Sequence, residues 1–137
     1  MLENPAAYLR HEFSQLYRYN PELSELTKIS VPHRPFVEFS SLPVIAATPS
    51  GEHAIALYTI DIPRTGFPSS KQQKYSGYGF TDWGSVISVN ARVYAELLRA
   101  SSNDTTFLYR TFLVIGSIPD VTASLKKLTS LRVPAHQ

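Results

Sequence analysis

A β-strand turns alternate side chains to opposite sides, so a strand that is apolar on both faces must be covered on both. Residues 53–62 read as such a strand, with Ile55 and Leu57 on one face and Ala56, Tyr58 and Ile60 on the other. The turn Pro49-Ser50-Gly51-Glu52 leads into it and Pro63 follows it. Any fold for this chain has to bury that strand from two sides. Helices are expected to cover at least part of each.

The flanking segments supply candidates. Asn4-Pro5 is a helix-start signal, and Leu9, Phe13, Leu16 and Tyr17 follow at helical spacing, predicting a first helix that ends near Tyr19. Asn20-Pro21 repeats the signal, and a short second helix is expected around Leu23 and Leu26. Residues 36–39 and 43–47 read as short strands, pushed toward a sheet edge by Pro32, Pro35 and Pro43. Residues 63–75 form a long polar loop containing Gly66 and Pro68. Val86, Val89, Val93, Leu97 and Ala100 make a heptad-like stripe that predicts a helix fraying at residues 101–104. In residues 105–115, Phe107, Tyr109, Leu113 and Ile115 alternate with Leu108, Phe112 and Val114, the longest strand signal, interrupted by Arg110. Pro119-Asp120 then opens a last helix through Val121, Leu125 and Leu128, with Lys126 and Lys127 near its negative end.

The expected fold is α+β, a single domain over residues 1–137 in the order α-(α)-β-β-β-α-β-α. Its sheet is mixed or antiparallel with helices packed on it, and residues 132–137 form a short polar tail. A chain of 137 residues suits one core better than two marginal ones. The absence of cysteine removes disulfides, thiolate metal sites and thiol nucleophiles together. A net charge of +2 is too small to argue for a nucleic acid or a membrane. Residues 1–5 lack the basic and apolar regions of a signal peptide, and no apolar run nears the roughly 20 residues that span a bilayer. A cytoplasmic protein, or one within a soluble intracellular assembly, is expected.

The stretch most suggestive of contact is Ser76-Gly77-Tyr78-Gly79-Phe80-Thr81-Asp82-Trp83, preceded by Lys71, Lys74 and Tyr75. Glycine permits close backbone approach, and flat rings offer contact area at little entropic cost. The stretch resembles the first ribonucleoprotein signature of the RNA-recognition-motif family, a cation followed by Gly, Phe/Tyr, Gly/Ala, Phe, an aliphatic residue, any residue and Phe/Tyr. That resemblance implies rings at Tyr78 and Phe80 that face outward from a sheet and stack on bases. The chain departs from the signature at Ser76, Thr81 and Trp83, and the strand-turn-strand of residues 42–62 leaves no room for the family's first helix. Two other readings stand beside it. The rings can plug the gap between the long loop and the core, or form a protein-binding surface rimmed by Arg64, Lys71 and Lys74.

Catalytic and metal chemistry find little in the pattern. His11, His33, His53 and His136 sit at no metal-ligand spacing, and neither a nucleophile elbow nor a phosphate-binding loop is present. No catalytic residue, metal or cofactor is therefore assigned. A hydrolase or nuclease site built from His33, His53 and Lys74 or from scattered carboxylates stays open, since such sites leave no local motif. The leading expectation is a non-enzymatic structural protein acting through protein contacts as a subunit of a homo-oligomer or ring, of which virus connector subunits are one example. Arg64, Lys71, Lys74, Tyr75, Tyr78, Phe80 and Trp83 are its expected partner-binding residues, and single-stranded RNA is the alternative partner. No membrane is expected.

Overall fold

The computed structural model describes residues 2–3, 7–9, 12–31, 36–60, 77–82, 87–93 and 110–131. In chain order these form β1 (Leu2–Glu3), β2 (Ala7–Leu9), β3 (Gln15–Asn20), β4 (Glu25–Ile29), β5 (Phe36–Ser40), β6 (Val44–Ala47), β7 (Ala54–Ile60), β8 (Gly77–Asp82), β9 (Ile87–Val93), β10 (Arg110–Gly116) and α1 (Ile118–Ser130). The strands build two five-stranded antiparallel sheets. In the first, β1 and β2 both line β9, followed by β8 and β5; the second runs β10-β7-β6-β3-β4. The class is mixed α+β, but among the described residues the helix lies at the C-terminal side of a largely stranded fold.

The doubly apolar strand is β7, and Ala54, Ile55, Ala56, Leu57, Tyr58 and Thr59 are all buried. One cover is helical: α1 packs on β7 and β10. A Cβ on Gly116 would point at Asp120 of the helix, so α1 lies over the face that Gly116 shares with Phe112 and Val114. The other cover is a sheet, because β8 and β9 pack against β6 and β7. Opposed residues across an antiparallel pair point the same way. The register therefore puts Leu16, Ala46, Ile55 and Leu57 on the sheet-covered side, and Ile45, Ala47 and Ala56 on the helix-covered side.

Three expected helices are not found where the chain is described. The spacing of Leu9, Phe13, Leu16 and Tyr17 fits a helix, but residues 7–9 and 15–20 are strands, and β3 pairs with β4 on one edge and β6 on the other. Cross-strand pairing overrides local periodicity here. Asn20, expected to cap a helix, accepts hydrogen bonds from the Glu22 and Leu23 amides at 3.1 and 3.2 Å. An Asn side chain that takes amides two and three residues on stabilises a turn by the same chemistry that caps a helix. The β3–β4 hairpin is the result, with Ser24 at φ +53°. The third helix is displaced by β9, where Ile87 and Val89 are buried and the β-branched content favours a strand. The Asn4-Pro5 signal, the loop of residues 63–75, residues 94–109 and the tail of residues 132–137 lie outside the described residues.

Helix α1 begins as its sequence signals. Ser117 Oγ accepts from the Asp120 amide at 3.2 Å, and the Ser117 amide donates to Asp120 Oδ2 at 3.1 Å, a reciprocal cap. Pro119 occupies the first turn, and Val121 and Leu125 are fully buried. The helix start is tied to the β6–β7 turn, where the carbonyl of Gly51, at φ +76°, accepts from the Ile118 amide at 2.9 Å. The bonds from Ser117 hold the exposed Asp120 carboxyl below its ordinary pKa.

Two outcomes follow from this packing. Leu125→Ala is expected to lower stability by about 2–5 kcal/mol in urea unfolding, with the slope unchanged. A carboxyl whose pKa is depressed in the folded state stabilises fully above its unfolded value and stops doing so as pH falls through the folded one. The melting-temperature difference between the wild type and Asp120→Asn is therefore expected at neutral pH and should shrink as pH falls below the ordinary carboxylate range, through the lowered folded value.

Candidate functional site

The aromatic–glycine stretch is β8, and it faces inward where its side chains are described. Tyr78 is 4% exposed and Phe80 2%. The two rings share one face of the strand, Gly79 lies on the other, and Phe80 stands beside buried Val89 of β9. The outward-facing base-stacking or partner-binding role expected of Tyr78 and Phe80 is corrected accordingly. They are the large apolar side chains of β8, and burying a ring of this size contributes roughly 1.5–3 kcal/mol. That gain selects the register that turns them to the core. Arg64, Lys71, Lys74, Tyr75 and Trp83 lie outside the described residues.

Tyr78 also completes the second sheet. Pairing of β6 with β7 runs as far as Ile45 opposite Ala56, which leaves the far end of that edge of β7 without β6 beside it. There the Tyr78 hydroxyl accepts from the Thr59 amide at 3.2 Å and donates to the Thr59 carbonyl at 3.1 Å. Its ring lies parallel to Tyr58, with centroids 6.1 Å apart. A phenol here stands in for a neighbouring strand.

This arrangement fixes the direction of the backbone groups on β10. Both backbone groups of Thr59 turn toward Tyr78, away from β10, so the opposed pair Thr59–Thr111 is not hydrogen-bonded across the ladder. The hydroxyls of that pair meet instead, at 3.0 Å. By the alternation of an antiparallel ladder, Phe112 and Val114 bond inward to β7. Thr111, Leu113 and Ile115 then present their N–H and C=O groups on the outer edge. Among the described residues, no strand lies beyond β10.

Among the described residues nothing pairs with that backbone edge, and two side chains on it are exposed as well. Leu113 is 54% exposed and Ile115 69%. They share the face of Leu57 and Ile55 but are exposed where those two are buried. An open cleft of about 370 Å³ lies between β10 and α1, lined by residues 112–115 of the strand and by Ser124, Lys127, Leu128 and half-exposed Leu131. The other edge of the same sheet, β4, is guarded by exposed Glu25, Thr27 and Lys28, as natural edges commonly are. Among the described residues, the β10 edge lacks such protection except at its ends. Arg110 is exposed at one, and at the other Asp120 packs over Gly116 so closely that a Cβ there would come within 2.8 Å of Asp120 Cβ.

Of the catalytic candidates, His53 is exposed on the β6–β7 turn, and His11, His33, His136 and Lys74 lie outside the described residues. Among the described residues no three His, Asp or Glu side chains gather as metal ligands, and no helix is long and apolar enough to cross a membrane. In comparisons with known proteins, no family model, no curated protein and no solved structure matches the chain. Sequence reasoning singles out Leu113 and Ile115 only as strand residues. The missing signal is the position of β10 at an edge, which depends on the order of strands.

Tyr78→Phe keeps the ring and removes both hydrogen bonds to the Thr59 backbone from a buried site. A loss of about 1–3 kcal/mol in chemical unfolding is expected. Replacing Tyr78 and Phe80 together by Ala should prevent cooperative folding, as read by the loss of the thermal transition.

Proposed function

We propose that this is a non-enzymatic assembly protein that works through protein–protein contact, within a soluble intracellular complex. Its working face in this reading is the outer edge of β10. One observation carries it: three residues in alternation, Thr111, Leu113 and Ile115, offer outward backbone groups beside two exposed apolar side chains. A partner strand added there would form main-chain hydrogen bonds worth about 0.5–1.5 kcal/mol each, and cover Leu113 and Ile115. The RNA-binding alternative needs rings free to stack on bases. With Tyr78 and Phe80 enclosed, those two rings present no face to a base.

Leu113→Pro tests the reading without opening the core. Proline removes one outward N–H, and its ring is tolerated where no inner ladder bond is lost. In native extract, the wild-type chain is expected to sediment in a complex heavier than its monomer, and the variant at monomer size with unchanged circular dichroism. A wild-type chain that sediments as a monomer in extract would refute the proposal.

A further inference from the structure

We infer that the strand added to β10 is β10 of a second copy, paired antiparallel about a two-fold axis through Leu113. This rests on the protein-contact reading above and names the partner.

The register follows from the ladder. Hydrogen-bonded pairs across a new antiparallel edge must join outward residues to outward residues, here Thr111, Leu113 and Ile115. Several two-fold registers meet that condition, but only the one centred on Leu113 overlaps all of Arg110–Gly116. It sets Leu113 against its own copy and Ile115 against Thr111 of the second chain, so that both exposed apolar side chains of each chain are covered. On the helix-bearing face it sets Phe112 against Val114.

Charge complementarity selects the same register. Arg110, Phe112, Val114 and Gly116 share one face, so Arg110 of one copy falls opposite Gly116 of the other. Asp120 packs directly over Gly116. Each Arg110 is thereby brought to the Asp120 of its neighbour, and the two-fold axis makes the contact twice. The pattern is isologous, so it closes as a dimer and leaves no further β10 edge to extend. The second edge of the sheet, β4, carries Glu25 and Lys28 in place of a bare apolar pair.

The chain has no cysteine, so one introduced thiol reports on one position. A hydrogen-bonded antiparallel pair holds its Cα atoms about 5.5 Å apart, within disulfide range. Purified Leu113→Cys is expected to form a disulfide dimer on mild oxidation, whereas Val37→Cys, comparably exposed on β5, stays monomeric. Arg110→Glu and Asp120→Arg should each weaken the dimer about tenfold or more, since each homodimer then holds two like-charged contacts. Mixed in equal amounts they should recover a heterodimer, in which both contacts are again between opposite charges. Circular dichroism verifies that Asp120→Arg, which loses its cap, retains α1. Purified wild type that remains monomeric at tens of micromolar, with no cross-linking through position 113, overturns the inference. If the complex in extract nevertheless persists and is lost in Leu113→Pro, the edge is used by a different protein and only the identity of the partner fails. A dimer indifferent to both position 113 and Arg110 also overturns it.

Discussion

The burial of β7 from both sides is the constraint from which the remaining architecture follows. Six consecutive residues, Ala54 to Thr59, have no solvent-facing side. A sheet and a helix occupy the two flanks, and the side chains of the strand and its neighbours are sized to suit each. Ala47, Ala54 and Ala56 lie on the flank that faces α1, and Gly116 leaves room for Asp120 there. Leu16, Val44, Ile55 and Leu57 fill the flank toward the first sheet. Losing either cover would expose about half of a continuous apolar strand, so both layers are bound to the same element.

Much of this is legible in the order of amino acids. The apolar parity of residues 53–62 announces two-sided burial, the segments at 36–39 and 43–47 coincide largely with β5 and β6, and the described part of the segment at 105–115 lies in β10. Ser117, Pro119 and Asp120 mark the start of α1 because a helix cap is a local device, decided within four residues. The misplaced helices share one cause. Leu16 and Tyr17, or Val86, Val89 and Val93, satisfy a helical spacing as well as a strand, and only distant partners break the tie. Leu16 is opposed by Ile29 and Ala46, and Val89 by Phe80 and Ala7. Asn20 is ambiguous for a different reason, since a side-chain oxygen accepting nearby amides begins helices and closes hairpins alike.

The candidate site shows the same limit more sharply. Tyr-Gly-Phe spacing states that two rings share a face, which is correct for Tyr78 and Phe80. It does not state which side of the sheet that face is on. The direction is set by what the neighbouring layer lacks, and here the second sheet lacks both a strand beside Thr59 and apolar cover. The bare edge at Leu113 and Ile115 is legible as composition and illegible as location, because nothing in an alternating segment tells a central strand from a terminal one.

The hydroxyls of Thr59 and Thr111 meet across 52 positions of chain. During synthesis β7 is therefore made long before β10 and α1, and one flank and one edge of the central strand stand open in the meantime. Long-range pairing of this kind is slow to form, and open apolar strands are prone to associate wrongly. The chain thus depends on a segment made later to seal its middle, which makes the interval between the two a vulnerable moment of its biogenesis.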